Sequence, residues 1–161
     1  VAYDYSQFDE AYNGMGTTIV GGVIKNNGNG YIINVGDSRA YYISRRNDAI
    51  EQVTRDHSLV EELVEYGAIT KDQARRHPQR NVITRALGSE ATVEADYYEV
   101  NLQSGDILLL CSDGLSNLIS ELEMLDYAKE YPEPELLCRA LMSKALMRGA
   151  PDNVTVLAVM K

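Results

Sequence analysis

Long apolar runs, cysteine and positive charge are all scarce in this sequence. No run of 18 apolar residues occurs, so we expect no membrane-spanning helix. The first residues, VAYDYSQFDE, are polar and acidic, unlike the apolar centre of a secretory signal peptide. The two cysteines, Cys111 and Cys138, each lie in an apolar stretch. We therefore predict buried free thiols in a reducing, cytoplasmic compartment rather than a disulfide or a metal site.

The shortage of positive charge limits the class of partner. Lysine and arginine number 15 against 24 aspartates and glutamates, which gives a formal net charge of −9. Nucleic-acid binding requires a basic face, so this balance argues against it. A phosphorylated substrate would need local positive charge that the totals do not supply, and a bound metal ion is one source of it.

The apolar pattern predicts an α+β domain. The 161 residues are enough for one domain with a hydrophobic core, and they contain no internal repeat. Turn residues in NNGNG and RRND separate apolar runs and predict two β-hairpins. The predicted strands are 17–25, 30–36, 39–44, 49–54, 93–100, 106–112 and 153–160. Strands come first, then a helical insert, then strands, helices and a last strand, which is typical of layered α+β folds.

Three capping boxes mark the predicted helix starts, at Ser58–Glu61, Thr70–Gln73 and Ser120–Glu123. The third helix should end near Glu130, and a longer one should then run to about Arg148, followed by Gly149 as its terminating residue. The polar, basic stretch 70–80 predicts a solvent-exposed excursion rather than core.

Aspartates stand at the ends of several predicted strands. They are Asp37 after 30–36, Asp56 after 49–54, Asp113 after 106–112 and Asp152 before 153–160. If 106–112 and 153–160 pair antiparallel, Asp113 and Asp152 meet at one edge of the sheet, within reach of Asp37. Carboxylates brought together repel unless a hard cation such as Mg²⁺ or Mn²⁺ neutralises them. The alternative is that these are turn residues, since Asp-Gly and Asp-Asn are common in turns.

Five segments occur in a fixed order that resembles a known family. They are VGDSRAYY, TRDHSLVEELVEYGAIT, HPQRNVITRALG, ILLLCSDGLSN and APDNVTVLAV, preceded by GMGTT at 14–18. Together they resemble the metal-dependent serine/threonine protein phosphatases of type 2C, in their bacterial form, over roughly residues 14–161. The resemblance implies a sandwich of two antiparallel sheets flanked by helices, with two Mg²⁺ or Mn²⁺ ions at one edge.

The resemblance also implies roles for individual residues. Asp113 and Asp152 match metal ligands, and Asp37 matches an aspartate that helps to hold a third, weaker metal. Asn117 stands where many members have a second aspartate for that third site, so we expect weaker binding there. Asn153 and Gly114 belong to motifs beside the metals and the substrate. The segment from about 59 to 81 matches a mobile flap near the substrate groove.

Members of that family carry an N-terminal part that has no counterpart in this chain before GMGTT. It holds an early aspartate, an Asp-Gly-x-Gly-Gly motif, a phosphate-binding arginine and the histidine credited as general acid. The chain also begins with Val rather than Met. We therefore expect residues 1–161 to be the C-terminal two-thirds of a catalytic domain, without its N-terminal strands and first helix. No complete catalytic set is expected, and metal binding and activity should be weak.

The implied reaction is the hydrolysis of phosphoserine and phosphothreonine on proteins, by attack of a metal-bridged hydroxide on phosphorus. The implied partners are phosphorylated proteins and a serine/threonine kinase counterpart, with neither nucleic acid nor membrane. An inactive pseudophosphatase-type regulatory or binding module is the alternative. Unpaired sheet edges further predict a dimer or a strand swap.

Four further assignments follow from the local pattern alone. Arg39 is expected to form an ion pair with a nearby carboxylate. His57 is expected to have a structural role at a helix start rather than a catalytic one. The arginines of the 70–80 stretch should form a solvated basic face. Of Tyr41 and Tyr42, which alternate along a strand, one should be core and one surface.

Overall fold

The computed structural model describes residues 2–8 and 10–161 and consists of two antiparallel sheets with helices packed on one of them. The strands are β1 (Ile19–Ile24), β2 (Asn29–Val35), β3 (Arg39–Ser44), β4 (Ala49–Gln52), β5 (Asp96–Asn101), β6 (Ile107–Cys111) and β7 (Val156–Met160). The helices are α1 (Ala2–Phe8), α2 (Leu59–Glu65), α3 (Lys71–Arg75), α4 (Asp113–Ser116), α5 (Glu121–Glu130) and α6 (Pro134–Met147), with a 3-10 turn at Glu10–Tyr12. This is the predicted α+β sandwich.

The strand order is β1-β2-β5 in the first sheet and β4-β3-β6-β7 in the second. Both predicted hairpins are confirmed, because β1 pairs with β2 and β3 pairs with β4. β6 and β7 also pair antiparallel, with Cys111 opposite Val156. The end of β6 and the start of β7 therefore lie side by side, as the predicted meeting of Asp113 and Asp152 requires.

Two apolar layers hold the sandwich together. Between the sheets, Ile32 of β2 packs with Ala40, Leu108 and Leu110 of the second sheet. On the other face of the second sheet, its alternate residues pack against α4, α5 and α6. Every residue of β6 is buried, because this strand is covered on both faces. An uninterrupted apolar run such as ILLLC is what a strand in that position requires.

The prediction for the tyrosine pair was half wrong. Tyr41 is core, as expected, and is only 1% exposed. Tyr42 is not a surface residue, because it is partly buried between the two sheets. Its hydroxyl donates a hydrogen bond to the carboxylate of Asp106. Both faces of β3 are covered. Its alternate side chains therefore point into two different apolar layers, rather than one set into the core and the other into solvent.

Several strand limits were predicted too wide. β5 begins at Asp96 rather than 93, because Asp96 pairs with Asn34 and the partner strand turns away just after Val35. β7 begins at Val156 rather than 153, because the residues before it bind the loop after β6. The sequence did not predict α1, the 3-10 turn or the four-residue α4.

The predicted helix starts are correct. Thr70 and Ser120 form complete capping boxes, whereas Ser58 makes only the bond from the Glu61 amide to its side chain. Gly149 follows α6 with a φ of +93°, the left-handed conformation that terminates a helix without strain. Both cysteines are free, as predicted, but only Cys111 is buried, and Cys138 is partly exposed. Within residues 2–8 and 10–161, no helix has the length and apolar character to cross a bilayer.

Candidate metal centre

Asp113 lies where the buried strand β6 gives way to α4. Ser112 is the N-cap of this short helix and Asp113 is its first residue. The Ser112 amide donates to the Thr155 carbonyl at 3.1 Å, and the Thr155 amide donates to the Ser112 hydroxyl oxygen at 3.0 Å. These bonds extend the β6–β7 pairing past its last ladder position. They hold the Asp113 loop against the segment that carries Asp152 and Asn153.

Gly114 allows the two loops to approach each other closely. A Cβ atom at this position would lie 2.3 Å from the Asn153 carbonyl oxygen, which is part of the backbone. Any other residue would therefore push the loops apart. The glycine of the SDG sequence is required by this contact, whereas the sequence alone left a simple turn as the alternative.

The carboxylates at this edge influence one another. Burial raises the pKa of Asp113, and the charge of Asp152 raises it further. The Asn117 side-chain amide donates to Asp113 Oδ2 at 3.2 Å. Asp152 itself is exposed, and its Oδ1 accepts the Asn153 amide at 2.6 Å. Neighbouring carboxylates of this kind favour the binding of a cation.

Asp37 approaches the same edge from the turn after β2. Burial raises the pKa of Asp37, and the charge of Asp113 is the next cause. The turn is shaped by Gly36, which has a φ of +106° and packs so closely that an added Cβ would meet the Thr18 side chain at 2.3 Å. The three aspartates that the family resemblance singled out are thus linked electrostatically, Asp37 to Asp113 and Asp113 to Asp152.

The chemistry of these side chains fits a hard divalent cation. Mg²⁺ and Mn²⁺ prefer carboxylate oxygens and keep several water ligands, so two or three aspartates are a suitable partial set. Among the described residues, however, no three His, Cys, Asp or Glu side chains are grouped closely enough to hold a metal. The arrangement is therefore an open set of carboxylates rather than a closed cage. The assignment of Asp113, Asp152 and Asp37 as ligands stays a prediction.

Arg39 and Asp56 form a partly buried ion pair beside these aspartates. Arg39 Nε donates to both carboxylate oxygens of Asp56, at 2.9 and 3.0 Å, and Nη2 donates to Oδ2 at 2.7 Å. The Gln52 side-chain amide donates to Asp56 Oδ1 at 3.0 Å. The sequence predicted an ion pair for Arg39 but not its partner, because the two residues are far apart in the chain.

His57 connects the Gly36 turn to β5. Its Nδ1 accepts the Gly36 amide at 3.0 Å, and its Nε2 lies 3.1 Å from Asp96 Oδ2. Because Nδ1 is an acceptor, Nε2 is the ring nitrogen that donates to Asp96. Arg85 also binds Asp96, at 2.9 Å. His57 is 5% exposed, and its ring holds the Gly36 turn and Asp96 rather than the helix start that the sequence predicted.

The predicted flap is a pair of short helices, α2 and α3, whose ends are held together. The Leu59 amide donates to the Val82 carbonyl, and the Thr84 amide donates to the His57 carbonyl. Arg75, Arg76 and Arg80 are exposed, as expected for a solvated basic face. The two ends of the flap segment are thus joined by hydrogen bonds, and the arginines between them are exposed to solvent.

Comparison with known proteins identifies the family. The model of the family "Protein phosphatase 2C" matches residues 4–154. The serine/threonine phosphatase stp of Listeria innocua is 43% identical over 155 residues, which cover 96% of this chain and 60% of the relative. The crystal structure of the serine/threonine phosphatase Stp1 from Staphylococcus aureus superposes with a TM-score of 0.92 at 39% identity, covering 99% of this chain and 62% of that one.

A second similar structure was solved with metal. It is the catalytic domain of the serine/threonine protein phosphatase PstP in complex with two manganese ions, with a TM-score of 0.84 and 33% identity over 98% of this chain and 64% of that one. This chain spans about 60% of the length of the relative from Listeria innocua. Sequence motifs, sheet order and superposition agree, and the chain belongs to the protein phosphatase 2C family.

Proposed function

We propose that residues 1–161 are the C-terminal part of a type 2C catalytic domain that removes phosphate from phosphoserine and phosphothreonine on proteins. The observation that carries the proposal is the junction of the β6 and β7 loops, which places the motif residues Asp113 and Asp152 at one sheet edge. The family relationship supplies the reaction class.

Asp113 and Asp152 would hold Mg²⁺ or Mn²⁺, and Asp37 would contribute to a third, weaker site. When bound, a divalent cation supplies an activated water nucleophile at neutral pH and neutralises charge on the phosphoryl oxygens. The chain's own residues fix this edge: Gly114 permits the close approach, and the Asn117 amide orients one oxygen of Asp113. The manganese ions of the similar PstP structure support this choice of cation.

The substrates would be phosphorylated proteins, with a serine/threonine kinase as the opposing enzyme. The exposed arginines of the flap supply local positive charge in a chain that is acidic overall. The free cysteines support a reducing, cytoplasmic location. A dimer is supported by the exposure of Val23, Tyr31 and Tyr97 on the outer face of the first sheet.

An inactive regulatory or binding module is the second candidate. Its supporting observation is that, in the part of the chain that the structure describes, no three possible metal-binding side chains are closely grouped. Such a chain would keep the fold and bind phosphoproteins without turnover.

Phosphate release from a phosphothreonine peptide with Mn²⁺ tests the two candidates. The 161-residue chain should be weakly active. A chimera that adds the unmatched part of the Listeria innocua relative should be roughly 100-fold faster, because it would supply the general acid. Asp113→Asn in the chimera should abolish this gain. A folded chimera that binds phosphopeptide without releasing phosphate would favour the binding module.

A further inference from the structure

Arg39 is a positively charged residue in the neighbourhood of the candidate metal ligands. It is the first residue of β3 and stands opposite Cys111 in the β3–β6 register, two residues before Asp113. It also follows Asp37 by two residues along the chain. Burial raises the pKa of both Asp37 and Asp113. The charge of Asp56 adds to this rise and the charge of Arg39 opposes it, so the four charged groups interact with one another.

A guanidinium in that place is a strong competitor for carboxylate oxygens. Its planar fork of N–H donors matches a carboxylate with two parallel hydrogen bonds. A bond from Arg39 to Asp113 would occupy the oxygens that a divalent cation needs, and it would cancel part of the negative charge that attracts the cation.

Asp56 holds the Arg39 guanidinium in another direction. Three N–H···O contacts of 2.7 to 3.0 Å join the two side chains, and the remaining Nη1 donates to the Tyr41 hydroxyl at 3.2 Å. Asp56 is only 8% exposed and is itself held by the Gln52 amide. Both carboxylate oxygens of Asp56 therefore already accept hydrogen bonds, which argues against Asp56 as a metal ligand.

We propose that Asp56 is a positioning residue that holds the Arg39 guanidinium away from Asp113 and Asp37, and so keeps those carboxylates free for a divalent cation. The inference rests on the metal site proposed above. It differs from a purely structural role of the ion pair, in which Arg39 and Asp56 would merely stabilise the sheet edge.

Titration with MnCl₂, followed by the electron paramagnetic resonance signal of free Mn²⁺, separates the two roles. Asp56→Asn should weaken Mn²⁺ binding about tenfold, because Arg39 would then be free to bind the candidate metal ligands. An arginine beside an aspartate lowers the affinity of the carboxylate for a proton by at least about tenfold, and we expect a similar effect on its affinity for Mn²⁺. The double variant Arg39→Gln/Asp56→Asn should bind within about threefold of the wild type, because the competitor is gone. A structural role predicts that the double variant binds as poorly as Asp56→Asn.

Two further variants complete the design. Arg39→Gln alone should bind Mn²⁺ at least as tightly as the wild type, and weaker binding would overturn the proposal. This variant tests the proposal even if Asp56→Asn does not fold. Glu135→Gln is the matched control, because it removes one carboxylate from the exposed pair with Arg139 near the start of α6. Its Mn²⁺ affinity should stay within twofold of the wild type.

The outcomes also distinguish the two proposals. If Asp113→Asn abolishes binding while Asp56→Asn binds normally, the metal site stands and the role of Asp56 is wrong. If the wild type binds no Mn²⁺, both proposals are overturned.

Discussion

At the scale of single residues, the site depends on one backbone contact. Gly114 touches the Asn153 carbonyl so closely that a methyl group would have to displace backbone atoms. Gly114→Ala should therefore cost about 1–3 kcal/mol of unfolding free energy, as overpacked sites do. It should also weaken Mn²⁺ binding, because the Asp113 and Asp152 loops would separate. Thermal unfolding and an Mn²⁺ titration measure the two effects.

Gly21→Ala is the matched control for this substitution. Nothing lies within 4 Å of a Cβ at Gly21, so its unfolding temperature and Mn²⁺ affinity should stay close to those of the wild type. Equal behaviour of the two variants would show that the loop contact does not shape the site.

The sequence predicted the aspartates of the site better than their surroundings. Asp113 and Asp152 were recognisable because each adjoins an apolar run, and runs of that kind predict strands whose ends meet in an antiparallel pair. The Arg39–Asp56 pair was not predicted in full, because its two members meet only through the irregular chain that follows β4. Local patterns carry no information on such long-range partners.

At the scale of elements, one ion pair joins the start of α5 to the end of α6. Arg148 Nη1 donates to Glu123 Oε2 at 3.0 Å, and this hydrogen bond, with those of Ser120, lowers the pKa of Glu123 to about 2. A carboxyl group with a depressed folded-state pKa stabilises the protein above its ordinary pKa of 4.5. That stability is lost as the pH falls from 4.5 towards 2.

Glu123→Gln should therefore lower the unfolding free energy at pH 7 by about 0.5 kcal/mol, a value reduced by solvent screening of this exposed pair. Glutamine keeps the capping box, so the loss reports the charge alone. The difference from the wild type should become small as the pH falls to about 2 and vanish below it. A deficit of the same size at pH 7 and pH 2, in thermal unfolding at both, would contradict the ion-pair account.

The flap helices should open more readily than the strands. α3 has five residues, none of them buried, whereas every residue of β6 is buried. Amides of 70–80 should exchange with deuterium orders of magnitude faster than those of β6, because little apolar surface holds them closed. Equal protection in the two segments would show that the flap is rigid.

Helix starts were predicted well because capping boxes are local signals, and strand limits less well because they depend on partners. Thr70 and Ser120 begin their helices as expected. In contrast, residues 153–155 have the composition of a strand, but they form hydrogen bonds with Ser112 instead of continuing β7. α4 is too short for periodicity to reveal it.

At the scale of the whole molecule, the outer face of the first sheet is apolar and open. Val23 and Tyr31 are cross-strand neighbours and are 69% and 51% exposed, and Tyr97 is 73% exposed. We expect this face to promote self-association, seen as a sedimentation mass that rises with protein concentration. Val23→Thr combined with Tyr97→Ser should shift the protein towards the monomer. A constant monomer mass at all concentrations would contradict this expectation.

The central claim is that the edge formed by Asp113, Asp152 and Asp37 binds a divalent cation. An Mn²⁺ titration of the wild type, Asp113→Asn and Asp72→Asn tests it most directly, since Asp72 lies in the first turn of α3 and carries the same charge. The account predicts saturable binding by the wild type and Asp72→Asn, and binding at least about tenfold weaker for Asp113→Asn. Indistinguishable Mn²⁺ binding by all three proteins would contradict it.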